Sequence, residues 1–184
     1  MIEFVFWKKA SPIVKRLIII TVFFIISVVV TLAGTLTPLS AEEANNITKD
    51  VNQTFDVMRN LPAMNQATMI FGNNLFICLL AFVPIVGTFL AFYILYNTGV
   101  VIAALTYGQS NPSATFLQLL AMPFGWMEFL AYSIGISGGL WLLWRIIKRQ
   151  GKSEIANACK CIAICAVILL GAAFIEAAIV AAAG

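Results

Sequence analysis

The chain has 184 residues, of which 61% are apolar and only 10% charged, and its mean hydropathy is +0.97. Soluble domains carry about 25% charged residues, so this composition excludes a soluble enzyme, a nucleic-acid-binding domain and a disordered chain. What remains is a small membrane protein, read as a single integral-membrane domain over residues 1–184, in which the placement of charges matters more than their net of +3.

Residues 1–16 read as a cytoplasmic interfacial anchor, with Ile2, Phe4, Phe6 and Trp7 ahead of Lys8, Lys9, Lys15 and Arg16. The run Leu17–Ala41 has no charged side chain and holds a first span, Leu17 to about Leu36. A spanning helix needs about 20 mostly apolar residues, and this run is long for the apolar part of a signal peptide. Residues 38–67 follow as a polar extracytoplasmic segment with Glu42, Glu43, Asp50 and Asp56. Val51, Phe55 and Met58 at helical spacing predict a short helix lying on the bundle. Two sequons, Asn46-Ile47-Thr48 and Asn52-Gln53-Thr54, make Asn46 and Asn52 candidates for glycosylation.

All 68 residues from Asn60 to Met127 lack a charge. The stretch Thr68–Tyr107 suits two crossings, near Ile70–Pro84 and Thr88–Tyr107, with a tight turn at Pro84 and Gly87. After a polar link at Gly108–Pro112, Ser113–Met122 reads as a short helix at the outer interface, with a re-entrant half-helix as the other reading. Pro123-Phe124-Gly125 breaks the pattern, and spans follow at about Trp126–Ile147 and Cys159–Ala182.

The fold class expected is therefore all-α: a polytopic transmembrane bundle of about five spans with short interfacial helices. Lys8, Lys9, Lys15 and Arg16 precede the first span, and Arg145, Lys148, Arg149, Lys152 and Lys160 flank the link before the last. Both clusters belong on the cytoplasmic side, which requires an even number of crossings between them. Four satisfy this. The N-terminus is then cytoplasmic and the C-terminus extracytoplasmic, in a multi-pass protein of the plasma membrane.

The chain has no histidine, which removes Ser-His and Cys-His nucleophilic pairs and the commonest metal ligand. No Gly-rich phosphate loop is present. The expectation is a non-catalytic protein with no cofactor and no metal site. Cys78, Cys159, Cys161 and Cys165 read as small apolar helix residues, with lipidation of Cys159 or Cys161 as the competitor.

Two carboxylates interrupt apolar runs, Glu128 and Glu176. Acids inside a membrane are costly and are functional candidates by default. Glu128 lies 17 residues from Arg145 and Glu176 lies 16 from Lys160, about 26 Å and 24 Å at helical rise. Both fall at similar height in the outer half. Asn73 and Asn74 open a span on that side, and Asn97 sits nearer the middle. An intramembrane polar cluster of Asn73, Asn74, Asn97, Glu128 and Glu176 follows, either an ion, proton or ligand site or a packing device.

Small residues mark close helix contacts: Gly135 and Gly139 in a GxxxG spacing, and Ala173, Ala177 and Ala181 every fourth residue. These faces serve contacts within one chain or a homo-oligomer. Trp7, Trp126, Trp141 and Trp144 read as interface anchors or packing residues.

Three motifs resemble the stage II sporulation protein M family: Phe71-Gly72-Asn73-Asn74-Leu75, Tyr96-Asn97-Thr98-Gly99-Val100, and Met122-Pro123-Phe124-Gly125-Trp126-Met127-Glu128-Phe129. Gly138-Gly139-Leu140 and Ile175-Glu176-Ala177 also fit, and the likeness runs from about Asn65 to Ala178. Phe124 stands where the family usually has histidine, which leaves Glu176 as the polar neighbour of Glu128. The resemblance implies a small prokaryotic membrane protein acting within a complex. Namesake members remodel the cell envelope during engulfment; the wider family extends to organisms that do not sporulate, so that role is not carried over. The expected function is a scaffold or assembly subunit of a larger membrane complex, with a transporter or channel component as the alternative. Its partners are other integral membrane proteins and the lipid bilayer, not nucleic acid.

Overall fold

The computed structural model describes residues 11–183, so the anchor expected at Ile2, Phe4, Phe6 and Trp7 lies outside the described residues. Among the described residues the chain forms seven helices: α1 (Pro12–Thr35), α2 (Ala41–Arg59), α3 (Ala63–Ala81), α4 (Val86–Leu105), α5 (Pro112–Ala121), α6 (Pro123–Ile147) and α7 (Gly151–Ala183).

Their ends follow from local chemistry. Ser11 caps α1 by accepting from the Val14 amide at 3.3 Å, ahead of Pro12, and a side-chain oxygen there satisfies an otherwise orphaned donor. Ser40 and Glu43 form a reciprocal capping box on α2. Asn111 accepts from the amides of Ser113 and Ala114 to start α5. Pro123 opens α6, so the break expected at Pro123-Phe124-Gly125 is one extended residue, Met122, between two helices.

The turn between α3 and α4 is tight, as Pro84 and Gly87 suggest. The Val86 amide donates to the Pro84 carbonyl at 2.8 Å across Ile85, whose φ is +64°. That is a γ-turn with a β-branched residue in the left-handed region, a strained arrangement.

Among the described residues, four segments are long and apolar enough to cross a membrane: Pro12–Thr35, Val86–Leu105, Pro123–Ile147 and Glu154–Ala182. Helix α3, 19 residues long, is about 28 Å at helical rise; Asn65, Gln66, Asn73 and Asn74 lower its hydropathy. It packs in the same bundle, consistent with about five spans.

Helix directions match that count. α1 and α4 run parallel, from Phe23 beside Phe92 to Gly34 against Gly99. α3 and α6 also run parallel, from Asn74 with Glu128, through Cys78 with Ala131, to Ala81 against Gly139. α7 is antiparallel to α6, with Glu154 near Arg145 and Gly171 against Met127. Arg16 bonds Glu154, so α1 and α7 start at the same end. Helices α1, α4 and α7 thus point one way and α3 and α6 the other.

Two boundaries depart from the sequence reading. α7 starts at Gly151 rather than Cys159, because Glu154 turns inward, 4% exposed, to meet Arg16 and Arg145. α2 is a 19-residue helix, not a short one. It seats through Ala44 and Met58 and through the Thr48 hydroxyl, which donates to the Ala104 carbonyl, while Phe55 is 39% exposed. The buried core runs through Cys78, Ala81, Leu95, Phe116, Phe129, Tyr132, Ile136, Cys165 and Leu169.

Candidate functional site

The polar cluster forms where α3, α6 and α7 meet. Glu128 and Tyr132 lie four residues apart on α6 and share a face. Asn74 on α3 stands between their side chains. Its Nδ2 donates to Glu128 Oε1, and its Oδ1 accepts from the Tyr132 hydroxyl at 2.9 Å. Asn74 and Tyr132 are buried, at 8% and 5% exposure. Glu176 on α7 approaches closely enough for the two carboxyl groups to sense each other's charge.

The donors run in one sense, from phenol to amide to carboxyl. Each buried polar atom in that line meets a partner, as low-dielectric surroundings require. Two carboxyl groups beside such a line have the chemistry to hold a proton or a cation. They also have the chemistry to pin three helices in one register.

The structure brings together Asn74, Glu128 and Glu176. Asn73 is exposed on the other face of α3, and Asn97 is outside the cluster, donating to the Tyr93 carbonyl of its own helix at 2.8 Å. The reason is angular: successive helix residues are separated by about 100°, so neighbours such as Asn73 and Asn74 do not face one partner. Tyr132 was not among the expected residues; its spacing of four from Glu128 was the available signal.

Gly135 and Gly139 are both packing positions. A Cβ on Gly135 would stand 3.0 Å from the Cys78 carbonyl, and one on Gly139 2.6 Å from that of Ala81. Ala173 and Ala177 are buried on α7. A second close contact, Gly34 against Gly99, joins α1 to α4. Asn46 and Asn52 are exposed on α2. Thr48 of the first sequon is engaged with Ala104, whereas Thr54 of the second bonds the Asp50 carbonyl within its own helix.

Cys165 lies with Cys78 rather than with Cys161 alone: both thiols donate to the Ala131 carbonyl at 3.5 Å. Cys159 is exposed. At the other end of the bundle Glu154 accepts from Arg16 and lies 3.7 Å from Arg145 Nε, a three-residue charge cluster joining α1, α6 and α7.

The family model for stage II sporulation protein M matches residues 17–180. No curated protein and no solved structure matches the chain.

Proposed function

The chain belongs to the stage II sporulation protein M family, and from that premise we propose that it is a non-catalytic integral-membrane scaffold, an assembly subunit of a larger membrane complex. Its setting in this reading is the plasma membrane of a prokaryotic cell. Lys15, Arg16, Arg145, Lys148 and Arg149 face the cytoplasm and the C-terminus lies outside, as the bias of basic residues favours.

The observation that carries the reading is the closure of the polar cluster. Asn74 is bonded on both sides, to Glu128 and to Tyr132. The described cavities of about 610, 350 and 310 Å³ are lined by other residues. A polar group satisfied within the bundle fixes helix packing. The outward surfaces, including the exposed Leu17, Val22, Ile25 and Val29 of α1, remain for lipid and for partner helices.

Gentle extraction from the native membrane followed by native mass spectrometry tests this. Larger membrane partners at constant stoichiometry are expected. A chain that always emerges alone overturns it.

A second reading, a transporter or channel component, draws on the approach of Glu176 to Glu128 and on the helix break at Met122. It requires that Glu128→Gln or Glu176→Gln abolish flux in proteoliposomes while leaving the fold intact. Unaltered flux or assembly in both variants removes it.

A further inference from the structure

The small-residue faces that suited either one chain or a homo-oligomer are occupied within the chain. Gly135 and Gly139 press on α3, Gly34 presses on Gly99, and Ala173 and Ala177 are buried. Gly72 is different. It sits at the midpoint of α3 (Ala63–Ala81), it is exposed, and a Cβ there meets nothing within 4 Å.

Around it the outward face of α3 carries Thr68, Met69, Gly72, Asn73 and Phe76, all exposed. They form two adjacent rows at a spacing of four, a ridge of the helix. Thr68 and Gly72 are small residues at the spacing that lets two spanning backbones approach and cross. Asn73 flanks the crossing point. Its amide has no hydrogen bond to any described residue, whereas its neighbour Asn74 is bonded on both sides. Asn73 lies about 12–15 Å from each end of the helix at helical rise, a depth at which lipid tails cannot satisfy an amide. α3 packs beside the spans, yet it is not among the four described segments apolar enough to cross a membrane. Its outward face is therefore one that protein covers better than lipid.

We propose that two copies of this chain associate through this ridge, α3 against α3, crossing at Gly72 with the two Asn73 amides hydrogen-bonded to each other. Self-complementarity selects the occupant. Two copies in one membrane share their orientation, so a two-fold axis along the membrane normal sets α3 parallel to its mate. Each residue near that axis then stands opposite itself. An amide carries both donor and acceptor and is its own partner. No charged side chain lies between residues 60 and 127, so the pairing meets no like-charge repulsion. The opposite face of α3 keeps Asn74 and Cys78 inside the bundle, and the dimer is independent of the Glu128 cluster and of the scaffold reading.

The test mixes purified full chain carrying donor and acceptor fluorophores in phosphatidylcholine vesicles and follows energy transfer as the protein is diluted in lipid. A dimer is expected, with transfer above that of random mixing. Asn73→Leu weakens it about tenfold, and Asn73→Gln, which keeps the amide, holds it within about threefold. Gly72→Leu, whose side chain parts the two backbones, weakens it by about tenfold or more. Val29→Leu, on the exposed face of α1, leaves it as it was. Circular dichroism is expected to show the same helix content in every variant. Transfer no greater than random mixing at every dilution overturns the proposal and leaves the ridge to a span of another protein. A dimer that Asn73→Leu and Gly72→Leu both leave intact overturns it as well. The scaffold reading is decided separately, by extraction from the native membrane, so the failure of one is distinct from the failure of the other.

Discussion

Gly34 and Gly99 bring the backbones of α1 and α4 into contact. A Cβ on Gly99 would stand 2.1 Å from the Thr31 carbonyl and 2.9 Å from the Gly34 Cα. Backbone atoms do not move aside as a side-chain tip does, so Gly99→Ala forces the two helices apart. Overpacking of this kind costs about 1–3 kcal/mol. Thermal unfolding in detergent is expected to show that loss for Gly99→Ala and none for Gly72→Ala, where a Cβ meets nothing within 4 Å.

Asn74 is the middle member of the polar line, and its loss strands two groups at once. Asn74→Leu leaves the Tyr132 hydroxyl and one Glu128 oxygen without the partners they now have. A buried unsatisfied group costs about 1–3 kcal/mol. Tyr132→Phe alone costs about 1 kcal/mol, an ordinary hydrogen bond. In the Asn74→Leu background it restores stability by removing a stranded hydroxyl. A double-mutant cycle in chemical denaturation reads the sign.

Ile85 is held at φ +64° in the α3–α4 turn while its side chain is 50% exposed. The left-handed region costs an L-residue about 1–2 kcal/mol, and glycine escapes that cost. Ile85→Gly is expected to raise the melting temperature by a few degrees, whereas Ile85→Val leaves it nearly unchanged.

Glu43 lies outside the membrane-spanning segments, where Ser40 donates to its Oε2 from the amide at 2.8 Å and from the hydroxyl at 2.7 Å. These bonds favour the carboxylate and hold its pKa below the ordinary 4.5. A group depressed in the folded state adds stability that is complete above its unfolded pKa and is lost as pH falls through the folded one. The first turn of α2 is therefore expected to keep its amide protection down to about pH 5 and lose it below 4.5. Hydrogen exchange at those amides checks this, and Glu43→Gln removes the pH dependence.

Glu154 pairs with two cations, accepting a hydrogen bond from Arg16 and facing Arg145 at 3.7 Å, while only 4% exposed. Removing one partner of a buried pair costs about 3–5 kcal/mol. The arginine side chains here are 27% and 30% exposed, so Glu154→Gln is expected to cost about 1–3 kcal/mol after screening. Adding Arg16→Gln recovers part of that loss, measured by thermal unfolding.

The fold was legible because hydropathy and charge act over whole segments. The spans at Leu17–Leu36 and Trp126–Ile147 and the Pro84–Gly87 turn required no tertiary information. Glu128 and Glu176 were legible as a pair because both are counted from basic residues at one boundary. What the sequence concealed was rotation about each helix axis. Asn73 and Asn74 are equivalent in height and composition, and only packing decides that Asn74 faces Glu128. Gly34 and Gly99 carry no mark that pairs them, since close approach is a property of two helices together. Glu154 carries no signal of its burial in the sequence, because its partners Arg16 and Arg145 lie on other helices.

Arg16 and Glu154 are 138 residues apart in the chain. Chains grow at about 5–20 residues per second, so the first helix waits on the order of 7–28 s before the carboxylate that secures it is made. During that interval a guanidinium destined for an ion pair stands at the start of a completed span. The bundle is thus latched by its last helix, and any insertion factor or partner that releases α1 early leaves an unsecured cation behind.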